Sequence, residues 1–345
     1  MIVRDEEQNL AGCLESVAGL MDEIVVVDTG STDGTRDIAR QFGARVFDFP
    51  WVDSFAAARN ESLRHATGDW IFCLDADERL TGESRTKLQQ LLAGLDLKNK
   101  AYGMTFLYRP EPGNLLTTEV KRVRLYRHHP QVRWQNRICE DIMPDLHALG
   151  FRVEWTDITI EHIGYQDPVV RARKWERNLR LLQLDYAEDA GNPYTLFALG
   201  RMYHALERPA DALLMLQRGL EHLNAGDPLG RGFHRLIVEC HRLLGQTPAA
   251  LAACCAARAC YPLDAGLRSL EAQLREELGD LAGAESCYLH LLREQEPNSC
   301  GGLPDGLLDF WTRHQLASLY AKQGRTAEAN ALWPAVESLT DGVLP

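Results

Sequence analysis

The chain has 345 residues, a net charge of −12, 45% hydrophobic and 25% charged residues. This length and composition fit a soluble globular protein of about two domains. The acidic balance excludes a general nucleic-acid binder, which needs a basic surface to neutralise phosphates, and no apolar run approaches the ~20 residues of a membrane span.

Taken in chain order, residues 24–27 form a short β-branched strand ended by Asp28, followed by the turn-rich loop Thr29-Gly30-Ser31-Thr32-Asp33-Gly34-Thr35. A helix then runs to about Phe42 and stops at Gly43, as helices often do at glycine. Residues 44–49 read as a second strand, 53–66 as a helix and 70–74 as a third buried strand ended by Asp75. Strand, helix, strand, helix, strand at this spacing predicts a doubly wound, Rossmann-like α/β sheet. Ligands of such sheets bind beyond the carboxyl ends of parallel strands, so Asp28 and the Asp75/Asp77 pair are expected to face one site. Segments 102–108 and 123–127 alternate as antiparallel or mixed strands do, and 158–162 is a last short strand.

From about residue 168 the pattern is helical: one long helix over 170–187, then a repeat. Leu199, Gly200, Tyr203, Ala212 and Leu216 recur as Leu316, Ala317, Tyr320, Ala329 and Trp333, with intermediate copies marked by Ala250 and Ala284. The alanine spacings of 38, 34 and 45 bracket the ~34-residue period of tetratricopeptide helix pairs, the longest containing the insert 297–306. The expected layout is an α/β domain over 1–167 and an all-α tetratricopeptide-like domain over 168–345.

Two acidic clusters are candidates for chemistry. Asp75-Ala76-Asp77 follows a buried strand, and alternation along an extended segment would place both carboxylates on one side about 7 Å apart. Hard oxygens of this kind suit Mg²⁺ or Mn²⁺, held by one or two carboxylates plus substrate phosphates. Asp5-Glu6-Glu7 is a second cluster able to hold a cation or simply face solvent. The nine cysteines form no Cys-x-x-Cys pair and read as reduced thiols. With acidic residues from position 5 no signal peptide is apparent, and a cytoplasmic location is expected.

Four ordered segments carry a further likeness: Met1-Ile2-Val3-Arg4-Asp5-Glu6-Glu7, residues 23–35, Phe55-Ala56-Ala57-Ala58-Arg59-Asn60, and Gly68-Asp69-Trp70 through Asp75-Ala76-Asp77-Glu78. Together they resemble the family 2 glycosyltransferases of GT-A fold, and the layout resembles the bacterial branch with C-terminal tetratricopeptide repeats that includes bacteriocin S-glycosyltransferases. The resemblance implies a UDP-sugar donor and a divalent cation. It places Val3, Asp28, Arg59, Asp75 and Ala76 at the donor, with Asp28 at the uridine and Arg59 near the nucleotide. Asp77 and Asp75 would ligate the metal, Asp77 the more directly, with His162 as a further ligand. Where the family has Ile-His-Glu, this chain has Ile138-Cys139-Glu140-Asp141. Glu140 is the expected base and Asp141 the alternative, because inverting transfer needs one group to take the acceptor's proton. The chain also begins inside the family's first strand, which bears on donor affinity rather than fold.

The leading expectation is an inverting, metal-dependent glycosyltransferase acting on a peptide, glycan or small-molecule acceptor. The alternative is a catalytically weak scaffold that binds a partner through its repeats. A nucleotidyltransferase would need a Gly-rich, Lys/Arg-bearing triphosphate segment that the 29–35 loop lacks. The aromatic-rich final repeat, with Trp311, Leu316, Leu319, Tyr320, Leu332 and Trp333, predicts a homodimer through the helical domain, because repeat arrays need polar end faces.

Overall fold

The computed structural model describes residues 1–108, 118–163, 168–224, 226–294 and 307–332. The sequence features at Gly164 and Tyr165, the insert 297–306, Trp333 and the tail beyond it lie outside the described residues. The chain divides into two compact units, Met1–Asp185 and Tyr186–Pro345.

The first unit opens with β1 (Ile2–Val3), α1 (Leu10–Ser16), β2 (Val25–Asp28), α2 (Thr35–Gln41), β3 (Arg45–Asp48) and α3 (Phe55–His65). Strands β1, β2 and β3 form a parallel sheet in that order, with Val3 opposite Asp28 and Asp28 opposite Asp48. Helix α3 starts where Ser54 Oγ accepts from Ala57 N at 3.1 Å, a side-chain N-cap that satisfies one of the first-turn amides. The small residues Ala56 and Ala58 bury its inner face.

Next come β4 (Trp70–Phe72), β5 (Glu78–Leu80), α4 (Gly82–Ala93), β6 (Lys100–Tyr108), β7 (Thr118–Arg127), α5 (Met143–Ala148) and β8 (Arg152–His162). The second sheet runs β4-β7-β6-β8-β5, with β6 and β8 parallel and its other pairs antiparallel. Here the sequence expectation is corrected. Residues 70–72 do not extend the parallel sheet among the described pairings; they pair antiparallel with β7, Ile71 opposite Tyr126. The apolar run reflects burial on both faces, which does not fix direction. Trp70 and Phe72 pack on a core of Leu88, Met104 and Phe106. Ile71 packs on the opposite core of Ala56, Tyr126 and Leu146.

Helix α6 (Pro168–Glu188) follows, and its contacts group it with the first unit as far as Asp185. The second unit holds α7 (Pro193–Ala205), α8 (Pro209–Leu220), α9 (Pro228–Leu243), α10 (Thr247–Cys260), α11 (Ala265–Glu277), α12 (Leu281–Glu294) and α13 (Leu307–Lys322), with helix again over 326–332. These are successive helix pairs, and the marker residues Ala212, Ala250, Ala284 and Ala329 are all buried. In every copy a residue of positive φ lies five positions ahead of the alanine: Glu207 (55°), Gly245 (70°), Gly279 (80°) and Gly324 (74°). The left-handed residue reverses the chain between paired helices, and the alanine lets them approach. Gly200 serves the same closeness, since a Cβ there would meet Leu216 Cδ2 at 2.5 Å.

Most of the apolar residues expected at an end face of the final repeat lie inside it instead. Leu316, Leu319 and Tyr320 are buried, and Leu332 packs against their cluster. Trp311 alone among the described residues of that set is exposed, at 44%. The aromatic-rich segment mainly fills the core of its own helix pair.

Candidate active site

The loop after β2 is built from backbone amides and short acidic side chains. Asp28 ends the strand, and its carboxylate accepts from Gly30 N at 3.1 Å, Ser31 N at 3.0 Å and Arg36 Nη2 at 2.7 Å. Its side chain is wholly enclosed. Burial works against the charge, but hydrogen bonds from Ser31, Arg36 and Gly30 hold the carboxyl below the usual carboxylate range. Asp28 therefore shapes the 29–36 loop from inside and presents no oxygen to a ligand in this conformation. Val3 backs the same loop: its carbonyl accepts from Thr29 N at 2.9 Å and Thr29 Oγ1 at 3.1 Å, and its side chain is buried.

Asp5 and Glu7 brace that loop from the other side. Thr32 N donates to Asp5 Oδ1 at 2.7 Å and Gly34 N to Glu7 Oε2 at 2.9 Å. Between them, Glu6 Oε2 accepts from Asn9 Nδ2 at 2.9 Å. Asp5 and Glu7 are thus engaged as a loop clamp, a role outside the two alternatives of cation site and solvated face.

The Asp75-Ala76-Asp77 segment is a β-turn rather than an extended piece, closed by Glu78 N donating to Asp75 O at 3.0 Å. The expected extended spacing of the two carboxylates is thereby corrected, and within the turn each acid meets its own partners. Asp75 faces Arg59 on α3, with Nη1 at 2.9 Å from Oδ1 and Nη2 at 3.1 Å from Oδ2. The same guanidinium donates from Nε to Glu140 Oε1 at 2.7 Å and lies over the Trp134 ring, 5.1 Å from its centroid. A planar fork that matches carboxylate geometry explains why arginine holds this position. Burial opposes the charge on Asp75, but Arg59 and then Arg124 hold its carboxyl well below the usual carboxylate range.

Arg124 on β7 completes the inner layer. Its Nη2 lies 2.6 Å from Glu78 Oε1, and its guanidinium sits 4.6 Å from the Phe106 centroid. Glu78 Oε2 in turn accepts from Asp75 N at 2.8 Å. Burial pushes the Glu78 carboxyl up, to about 7, against the pull of Arg124. Ala76 is buried beneath the turn among Val3, Leu10 and Leu14, and its carbonyl accepts from Arg79 Nη1 at 2.7 Å.

Asp77 is buried and faces β8 and α6. Its Oδ2 lies 3.6 Å from His162 Nε2 and 3.7 Å from Lys174 Nζ. His162 is positioned by register: it ends β8 opposite Glu78 of β5 and stacks beside Tyr108. Burial lowers its pKa, which favours the neutral imidazole that a metal ligand requires. Glu140 follows Cys139, whose φ is 53°, and its side chain is 14% exposed. Asp141 does a different job: its Oδ1 accepts from Met143 N at 2.9 Å, and its backbone bridges Gln135. That carboxylate thus engages the first residue of helix α5.

The structure thus brings together Arg59, Asp75 and Glu140 in one ion network, and Asp77 with His162 beside it. It places Val3, Ala76 and Asp28 behind the walls and Asp141 at a helix start. The sequence reading missed Arg124, Glu78 as a partner of it, and Lys174. Alternation along β7 would have set Arg124 on the face opposite Val123 and Leu125; all three are buried because the β6–β7 register shifts at this point, Tyr102 pairing with Leu125 and Gly103 with Val123, and nothing local marks Lys174 within a helix rich in Lys and Arg.

A cation fits only part of this arrangement. Among the described residues no group of three or more His, Cys, Asp or Glu side chains is set to hold a metal, and both oxygens of Asp75 are engaged by arginine. Asp77 and His162 do converge, and Mg²⁺ or Mn²⁺ commonly completes its shell with water and substrate phosphates.

Fold and site together define a two-unit protein: an α/β domain with charged groups gathered around strand ends, then a tetratricopeptide-like array of helix pairs. Residues 1–153 match the model of Glycosyl transferase family 2, and the first unit carries a domain of that family. A TPR repeat-containing protein of Synechococcus elongatus is 37% identical over 200 residues, covering 55% of this chain and 48% of that protein. The prophage-derived glycosyltransferase SunS of Bacillus subtilis is 26% identical over 253 residues, covering 71% of this chain and 58% of that protein. The chain spans about half the length of these relatives. Among solved structures, MamA aligns with half of the chain at 16% identity and a TM-score of 0.40. No helix among the described residues is long and apolar enough to cross a membrane.

Proposed function

We propose that this chain is an inverting glycosyltransferase that moves a sugar from a UDP-sugar to a peptide, glycan or small-molecule acceptor. The observation that carries this reading is the Asp75–Arg59–Glu140 network beside Asp77 and His162, within a family 2 domain. Glu140, aimed by Arg59, takes the proton of the acceptor's hydroxyl or thiol as that atom bonds to the anomeric carbon, and the bond from sugar to diphosphate breaks. The engagement of Asp141 at α5 favours Glu140 over Asp141 for this role. Asp28, Val3 and Ala76 serve the donor indirectly, by fixing the 29–36 loop and the Asp-Ala-Asp turn against which a nucleoside would lie.

Asp77 and His162 are the residues that would hold a divalent cation, with Asp75 joining only if Arg59 yields an oxygen. Such a cation supplies charge neutralisation to the departing diphosphate. A cytoplasmic location accords with this reading, and Trp311 is the remaining support for a homodimer.

The test is calorimetry with UDP, GDP and CMP in Mn²⁺, followed by turnover assays on variants. UDP is expected to bind most tightly; tighter GDP binding overturns the donor assignment. Glu140→Gln is expected to lower the rate roughly 10²-fold or more with donor binding kept, and Asp77→Asn to abolish Mn²⁺-dependent turnover with little change in melting temperature. Full activity in EDTA would contradict the metal requirement.

A further inference from the structure

Helix α6 lies beyond the residues matched to the glycosyltransferase family, yet it is fastened to the two segments that build the ion network. Arg180 Nη1 donates to Asp53 Oδ2 at 2.9 Å, and Arg177 lies over Phe55, 4.9 Å from the ring centroid. Both partners sit at the start of α3, the helix that carries Arg59. Further along α6, Asp185 Oδ2 accepts from Arg137 N at 3.3 Å, three residues ahead of Glu140. One turn before Arg177, the same helix delivers Lys174 Nζ to 3.7 Å from Asp77 Oδ2.

The charge pattern gives this ammonium a specific meaning. Arg59 is committed to Asp75 and Glu140, and Arg124 to Glu78. Beside Asp77 lie instead the Lys174 ammonium and the imidazole of His162. Lys174 is also within electrostatic reach of Glu6 and of His162. A lysine ammonium is a compact charge on a long stem, able to move several ångströms without moving its helix. A divalent cation on Asp77 would repel it, and an arriving diphosphate would attract it.

We propose that Lys174 is a donor-binding residue of this enzyme, an ammonium that pairs with Asp77 in the resting site and transfers to the diphosphate of the nucleotide when the nucleotide binds. This rests on the glycosyltransferase reading above and extends the donor site onto α6. Lys174 then has two opposed effects: it competes with the cation when no nucleotide is present, and it helps to hold the nucleotide when one is.

The opposed signs make the test sharp. Calorimetry on the full chain measures Mn²⁺ alone, UDP alone and UDP with Mn²⁺, for the native chain, Lys174→Met, Lys174→Gln and Lys174→Arg. Removing the ammonium is expected to tighten Mn²⁺ binding roughly threefold, the scale of a partly exposed ion pair. It is expected to weaken UDP about tenfold with or without Mn²⁺, the scale of a charge-assisted hydrogen bond to phosphate. Lys174→Arg should retain most of the UDP affinity. A lysine that merely props α6 would lower melting temperature without changing the two affinities in opposite directions. Lys174→Gln keeps the stem and polarity and stands in if Lys174→Met does not fold. If the native chain binds UDP but both neutral variants bind UDP and Mn²⁺ as it does, the role of Lys174 is wrong and the glycosyltransferase reading stands. If the native chain binds no UDP even with Mn²⁺, both fall together.

Discussion

At the scale of single residues, Arg59 decides how the site is assembled. Its side chain is only 8% exposed and spans two acids from distant parts of the chain. Removing one member of such a buried network leaves the others uncompensated, which costs about 3 kcal/mol or more. Arg59→Met is therefore expected to destabilise the first unit by that amount in urea unfolding, whereas Asp77→Asn is nearly neutral. The pH profile carries a second signature. Asp75 titrates below its unfolded value, so its contribution is present above the ordinary carboxylate range near pH ~4 and fades as pH falls. Glu78 is displaced upward, so its contribution is present at low pH and is lost as pH rises through about 7. Without Arg59 the acid limb due to Asp75 should move to higher pH while the limb due to Glu78 stays. Asp75, Asp77 and Arg59 were legible because they lie in the short segments that carry the family 2 resemblance. Their geometry was concealed, because Asp-Ala-Asp reads as extended by alternation and folds as a turn. Lys174 was invisible for a different reason: its role depends on where α6 docks, and no local pattern encodes that.

At the scale of elements, the repeat has a defect. Three of the four helix-pair turns use glycine at the left-handed position, while the first uses Glu207 at φ 55°. Glu207 is exposed, and only its backbone takes part in the turn, its N donating to His204 O at 3.0 Å. A residue with a Cβ spends about 1 kcal/mol or more in this conformation. Glu207→Gly is expected to stabilise the second unit by about 0.5–1 kcal/mol even after the greater unfolded-state freedom of glycine, and Gly245→Ala to destabilise it by about 1 kcal/mol. Chemical denaturation followed by circular dichroism checks both; a destabilising Glu207→Gly would mean that the carboxylate has a partner in solution. The alanine periodicity was readable because small residues recur wherever helices touch. The direction of β4 was not, because burial on both faces produces the same apolar run in a parallel or an antiparallel neighbourhood.

For the whole molecule, the chain divides into two compact units. Among the described residues, the buried apolar clusters around Met104 and Tyr126 belong to the first, and those around Cys254 and Tyr288 to the second. Their thermal unfolding is expected to give two transitions rather than one. A nucleotide held by the first unit should raise only its own transition, by mass action worth about 2.7 kcal/mol at a hundredfold excess over the dissociation constant. Scanning calorimetry with and without UDP and Mn²⁺ checks this; a common shift of both transitions would show the units to be energetically joined. The division into an α/β and an all-α half was plain from the change of period along the chain. The place of α6 was not, since its amphipathic pattern is equally suited to either half.

Trp134 gives that experiment its own optical channel. A guanidinium over the face of an indole perturbs the ring electrostatically, and here the cation is Arg59, whose other two partners are Asp75 and Glu140. Any ligand that draws either acid away must also shift the charge above the ring. Among the seven tryptophans of the chain, Trp134 is thus a native fluorophore wired to the ion network, and the emission lost in Trp134→Phe isolates its signal. Occupancy of the site becomes readable as a change of colour in an unlabelled protein, before any sugar has moved.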